Sequence, residues 1–397
     1  MQKKIIALAI AAAISAPAFA DTSNVTVYGQ VNMSYDMMNV GSGHAYNAPA
    51  TAVTSQSVNR IGSNTSRLGL KGSEDLGDGL AAIWQIEMQI DPGQGTAPAA
   101  NSANVIGGRN TFGGLKSDSL GTVLLGRHDT PYKLSTRAYD VFGDGIADNR
   151  MLMGAVAGKS AVLAFDGRQD QVIAYISPAF SGFTVAAAYL NVNPGAAGVA
   201  TGGAKQSAAS LAGMYNDNGL SASLAYEVHT LDTGIAAVAA TAATATAPAI
   251  AARTANTGYN EKATKLGLGY KQDAYMVGFA YEKTSDNTGT LGANQFGHNA
   301  YYLSGKYNVT ASDAVKLAYT KMGVVGAAGV ANGAKAITIG YDHTMSKRTT
   351  IYALYSKLTN DTNGTYGFST NGTSGVVGVV GAGTAPSVFS LGMRHTF

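Results

Sequence analysis

From Thr22 onward the chain repeatedly alternates apolar and polar side chains with a period of two, and that pattern leaves few folds open. In Thr22–Asp36, Val25, Val27, Val31, Met33 and Tyr35 interleave with Thr26, Tyr28, Gln30, Asn32, Ser34 and Asp36. In Leu80–Ile90, Trp84, Ile86, Met88 and Ile90 oppose Gln85, Glu87 and Gln89. Leu266, Leu268 and Tyr270 oppose Lys265 and Lys271, and Ile337, Ile339 and Tyr341 oppose Thr338 and Asp342. The last segment sets Phe389, Leu391, Met393, His395 and Phe397 against Ser390, Gly392, Arg394 and Thr396. A strand places alternate residues on opposite faces, so each set defines one face.

Two architectures accept this pattern. A soluble β-sandwich buries its apolar face; a membrane barrel turns that face to lipid and keeps a polar lumen. The alternating stretches run to about ten residues, the transmembrane β length, against about five to six in soluble sheets. A bilayer tolerates no open sheet edge, so such a sheet closes on itself. The connections alternate too. Short ones fall at Glu74–Asp78, Ser117–Leu120, Pro178–Gly182, Asn216–Gly219, Gln272–Ala274, Val309–Asp313 and Met345–Arg348. Long ones fall at roughly 37–59, 91–107, 128–169, 193–206, 231–260, 285–297, 323–334 and 359–386. Together they predict an all-β chain, a transmembrane antiparallel barrel of about 16 strands. Short turns would face the periplasm and long loops the exterior. Two segments break the pattern: Arg127 shares parity with Val123 and Leu125, and neither face of Thr350–Leu358 is clearly polar.

Composition narrows the function. Charged residues are 13% of the chain, about half the usual soluble share. Cys is absent, which excludes a disulfide framework, a cysteine zinc site and a thiol enzyme. A net charge of +3 is too small for a nucleic-acid binder. Residues 1–20 read as a cleaved signal peptide: Lys3 and Lys4, an apolar Ile5–Ile14, and a small-x-small site at Ala18-Phe19-Ala20. Residues 21–397 then form a single barrel domain, and loss of Lys3 and Lys4 takes the net charge to +1. Ile235–Ala252, rich in Ala and Thr with Pro248, is too weakly apolar for a membrane helix and reads as loop. The six His show no metal-ligand spacing, and no phosphate-cradling or metalloprotease motif is present. No cofactor and no enzymatic activity are expected.

Three stretches and the last residue carry a family likeness: Val25–Gly29 (VTVYG), Ser66–Gly79 (SRLGLKGSEDLGDG), Gly121–Tyr132 (GTVLLGRHDTPY) and the terminal Phe397. With them the mature chain resembles the general porins of Gram-negative outer membranes, in the β-proteobacterial branch. The resemblance implies a homotrimer of sixteen-stranded barrels in outer-membrane lipid, passive diffusion of small hydrophilic solutes and ions, and a third long loop folded inward. It places a basic wall at Arg67, Arg109 and Arg127, joined by Lys71, which shares the parity of Arg67. Facing it on the loop would stand Asp140, Asp144 and Asp148, with Gly143 and Gly145 letting the chain turn inward. Glu87 points into the lumen by parity and is placed to hold an arginine. Phe397, ending an alternating stripe, resembles the signal read by the barrel-assembly machinery; His395 stands where the family has an aromatic. Opposed charges across a narrow aqueous gap select among solutes. A substrate-specific channel, or a barrel acting mainly as adhesin or receptor through its long loops, are the alternatives. Lumen lysines tilt the expected ion preference toward anions.

Overall fold

A computed structural model describes residues 25–45, 48–91, 106–154, 165–192, 206–231, 259–287, 294–326, 331–368 and 381–397. The signal peptide at 1–20 and the Ala/Thr-rich stretch lie outside the described residues. Sixteen strands close into one antiparallel barrel. The first four are Thr26–Asn39, then Ser57–Ser63 continued by Arg67–Gly77, then Leu80–Gln89 and Thr111–Ser117. The fifth to eighth are Gly121–Asp129, Arg168–Ile176, Phe183–Val192 and Gln206–Asp217. Leu220–Leu231, Tyr259–Lys271, Tyr275–Asp286 and Asn299–Asn308 follow as the ninth to twelfth. Asp313–Met322, Ala334–Thr344, Thr349–Asn360 and Ser387–Thr396 complete the wall. Each pairs with its chain neighbour, and the first strand closes the ring by pairing with the sixteenth, Tyr35 opposite Leu391 and Asn32 opposite Arg394. Closure leaves no free sheet edge, as a bilayer demands.

The second strand is one barrel strand in two pieces. Both pieces pair with the first strand, and Asn64–Ser66 break the ladder between them, with Thr65 at φ 58°. Asn32 N–H donates to Ser66 Oγ (2.9 Å), so the gap stays bonded. At the closure, Gly29 and Phe397 exchange both backbone hydrogen bonds (3.0 and 3.1 Å), and the Phe397 ring covers the bare face of Gly29.

The apolar parity faces outward. Leu268 is 46% exposed and Ile339 57%. Trp84 shares the face of the exposed Ile86, its indole laid against Gly72. Apolar surface of this extent is stable only against lipid. The opposite parity carries polar side chains on one side of the bore. Elsewhere it carries buried small or apolar ones, such as Ala280, Ala300, Ala318, Leu354 and Leu358. That explains the ambiguity of Thr350–Leu358: its inner face is dry because something packs on it.

What packs there is the third long loop. It starts in a short helix, Pro131–Leu134, capped by Thr130 Oγ1 and opened by a proline that has no N–H to leave unpaired. Phe142, Ile146 and Met151–Met153 then join Ala280, Ala300, Tyr302, Ala318, Leu354 and Leu358 in the largest buried apolar cluster of the described residues. The loop therefore lies inside the barrel, as the resemblance implied.

Candidate functional site: the gap between the third loop and the wall

Aromatic pegs and glycine gaps hold the loop. The Tyr139 ring fills the space that side chains would occupy at Gly267 and Gly269, the Tyr139 Cβ and carbonyl crowd Gly278, and the Phe142 ring fills the slot at Gly340. Those glycines alternate with outward Leu266, Leu268, Val277 and Ile339, so the strand pattern itself opens the slots. A buried ionic staple secures the loop's two ends. Lys265 Nζ pairs with Asp166 (2.5 Å), while Glu282 accepts from Tyr132 Oη and Gly154 N–H (each 2.8 Å).

Across the bore stands a charged wall. Glu87, inward on the third strand, accepts from Arg109 Nε (2.6 Å) and from Tyr28 Oη (3.0 Å), and lies 3.8 Å from Arg67 Nε. Arg67 then reaches over the gap and donates from Nη1 to Asp144 Oδ2 (3.1 Å). At the mouth of the loop, Asp129 is gripped by Lys133 (2.7 Å) and Arg168 (3.1 Å). Asn110 ties the cluster together, donating to Asp129 and accepting from Arg168. These groups line one water-accessible space of about 350 Å³, together with Arg137 and Arg150. Six cations (Arg67, Arg109, Lys133, Arg137, Arg150, Arg168) face three carboxylates (Glu87, Asp129, Asp144) around it.

The expected residues do not all meet there. Arg67, Arg109, Glu87 and Asp144 do. Arg127 does not join them: it keeps the outward parity of Val123 and Leu125 and pairs with exposed Asp170. The ladder irregularity opposite it takes up its extra residue on the sixth strand, where Gln171 has φ 54°, so the fifth strand never flips Arg127 inward. Lys71 stays away from the lining; its ammonium sits 5.2 Å from the Tyr28 ring centroid. Asp140 and Asp148 are loop staples rather than lining acids. Asp140 accepts from Phe142 N–H, Asn149 N–H and Tyr302 Oη. Asp148 is forked by both Arg137 and Arg150. The side chain of Asp144 is 28% exposed, against 0% for Asp140 and 2% for Asp148.

Burial pushes the Asp140 carboxyl up, and the neighbouring Asp148 charge adds to it. Burial opposes ionisation of Asp148 and Asp144 too. Arg137 and Arg150 outweigh it at Asp148, and Arg67 and Arg137 at Asp144, so both stay below the usual carboxylate range. Lys133 is driven the other way: burial, helped by Arg150 and Arg168, lowers it to about 8 against the pull of Asp129. The glycines flanking Asp144 do not make the inward turn; Asp144 itself takes the left-handed conformation, at φ 64°. Four lining cations, Lys133, Arg137, Arg150 and Arg168, were not singled out from sequence. Arg168 was the most accessible of them, since it pairs across the ladder with Asp129 where the loop leaves and re-enters the wall.

A family description of Gram-negative porins matches residues 7–363. The chain belongs to the Gram-negative porin family. Over 100% of both chains it is 30% identical to outer membrane porin protein 32 of Delftia acidovorans. Major outer membrane protein P.IB of Neisseria gonorrhoeae is 26% identical over 88% of this chain and 91% of its own. Among solved structures, an anion-selective porin from Comamonas acidovorans superposes with a TM-score of 0.67 at 26% identity, covering 95% of this chain and 100% of that one. Vibrio cholerae OmpT shares the fold, with a TM-score of 0.65 at 17% identity. This porin is thus an outer-membrane β-barrel forming a channel, and its relatives point to transport rather than catalysis.

Proposed function

We propose that this porin is a homotrimeric general diffusion channel for small hydrophilic solutes, with a preference for anions set at the gap between Asp144 and the arginine wall. The observation that carries the reading is the charge balance of the lining, six cations against three carboxylates. A narrow bore of low-dielectric walls strengthens such a field, so an anion gains where a cation of equal size loses. Arg67 and Arg109 act as basic wall, Glu87 as the acid that orients both, and Asp144 as the opposing loop charge. Asp140 and Asp148 hold the loop's shape. The Comamonas relative is described as anion-selective, and a Vibrio one was solved in a trimer form, both consistent with this reading. Removal of residues 1–20 on export, and recognition of Phe397 by the assembly machinery, belong to the same proposal.

The test is the reversal potential of purified protein in planar bilayers under a potassium chloride gradient. Stepwise current in threes with an anion-directed reversal potential is expected. Silence of correctly folded protein would remove the channel assignment; a cation-directed potential would remove the selectivity assignment alone.

A further inference from the structure

Toward its short-turn end, the outward face of the eleventh to fourteenth strands is notched. Gly305 takes an outward position on the twelfth strand, in the cross-strand row Val277, Gly305, Leu317, Ile339. A side chain there would meet only the Met276 carbonyl oxygen, 3.8 Å away. The bare position leaves an open hollow of about 370 Å³, lined by Tyr275, Val277, Tyr307, Val315, Leu317 and Ile339. Two other outward glycines are covered, Gly29 by Phe397 and Gly72 by Trp84. Gly113 and Gly213 are open as well, but the short turns next to them, Ser117–Leu120 and Asn216–Gly219, carry no cation.

Below Gly305 the face changes chemistry in two steps, each about 7 Å along the strand. The next outward row is Tyr275, Tyr307, Val315 and Tyr341, and after it Asp313 stands opposite His343. Asp313 accepts from Tyr341 Oη and Thr310 Oγ1 and lies 2.8 Å from His343 Nδ1. The carboxylate thus fixes the imidazole, whose side chain is 42% exposed and whose Nε2 has no protein partner among the described residues. The turn that follows exposes Lys347 and Arg348, neither of them in an ion pair among the described residues.

An apolar hollow, a tyrosine row and a cluster of cations come in the order of a phospholipid's acyl chain, ester linkage and phosphate. Tyrosine rows mark the level where a barrel leaves the hydrocarbon for the headgroups. We infer that this face holds one diacyl glycerophospholipid of the inner leaflet. One acyl chain fills the hollow at Gly305, and the phosphate lies against His343, Lys347 and Arg348. A protonated imidazole has two donors, so His343 gives one to Asp313 and the other to the phosphate. The inference rests on the short turns lying on the periplasmic side and not on the ion preference of the bore.

The experiment uses the folded protein in detergent, titrated with dioleoyl phosphatidylglycerol and read by native mass spectrometry. A parallel titration uses dioleoylglycerol, which has the same chains and no phosphate. Wild type should retain the phospholipid about tenfold better than dioleoylglycerol. G305F, which fills the hollow, should weaken phospholipid retention by about tenfold, whereas G213F, which fills the open glycine of the eighth strand, should not. K347S/R348S should weaken it by about tenfold. H343Q, which can still bond Asp313 but carries no charge, should weaken it by about threefold. Undiminished retention by G305F, or equal retention of dioleoylglycerol by wild type, would overturn the proposal. So would loss of the oligomer in G305F but not in G213F on unheated gels, which would assign the hollow to a second copy of the chain. Folding is checked by heat-modifiable gel mobility. Should G305F fail that check, K347S/R348S decides, and undiminished retention by it overturns the proposal. Reversal potentials should stay as in wild type in all these variants, which separates this face from the constriction.

Discussion

The inner wall of this porin has two halves that obey different rules. On the second and third strands and the segment leading into the fourth it is wet and charged, and Arg67, Glu87 and Arg109 keep their polar atoms at the water-filled gap. On the eleventh to fifteenth strands it is dry, and Ala280, Ala318, Leu354 and Leu358 are buried under the loop. Both halves continue the same outward apolar stripe. The difference teaches that a barrel's inner face need not be polar: where a loop folds back, it must match the loop instead. The bore is then bounded by a rigid wall on one side and a loop glued to the other.

Breaking the wet half should give the largest change in selectivity. R67E/R109E/R168E replaces three wall cations with anions, and the anion-over-cation permeability ratio from reversal potentials should fall by roughly tenfold, reversing the preference. Breaking the dry half should act on stability first. F142A empties the slot at Gly340, and large-to-small aromatic changes in packed cores cost about 3–5 kcal/mol. Its folded form should denature earlier in heat-shift gels and show noisier open-channel current, while the sign of selectivity stays as in wild type.

The loop acids sharpen the comparison, because one faces the gap and two face the loop. D144N should raise the anion ratio by about twofold. D140N should leave the ratio unchanged and lower thermal stability, since Asp140 accepts three hydrogen bonds in a buried site. If D140N shifts the ratio more than D144N, the assignment of the exposed acid is mistaken. Protonation offers a milder probe. Lys133 loses its charge as pH rises through about 8, below its ordinary range, so the lining becomes less cationic. The anion ratio should therefore decline between pH 7 and 9 and stay level in K133Q. Toward acid, Asp144 should keep its charge through the ordinary carboxylate range, because Arg67 and Arg137 hold it lower, so the increment in anion ratio produced by D144N should persist there. The smallest effects belong to R127A and K71S, whose side chains lie off the lining; reversal potentials within error of wild type are expected.

Strand parity carried the reading of the wall a long way. Glu87 was legible because one residue on either side of it is outward, and Arg67 and Arg109 because family-like motifs set them beside it. Parity failed at Arg127, where the register is absorbed by Gln171 on the neighbouring strand, a residue some forty positions away. In the loop there was no period to use. Asp140, Asp144 and Asp148 look alike in sequence, and only their partners separate them: Tyr302 and two backbone amides, Arg67 across the gap, and two arginines of the loop itself.

Sequence alone determined that this chain is a closed barrel with its apolar residues toward lipid. Alternation over about ten residues is a local property, and the bilayer forbids an open edge. Sequence also placed the glycines that let Tyr139 and Phe142 sit against the wall, without showing what would fill them. Which charges bound the aqueous gap was decided only by tertiary structure. The loop's path is fixed by contacts more than a hundred residues apart in sequence, and ion pairs across a gap follow from where the chain returns rather than from what lies next to it.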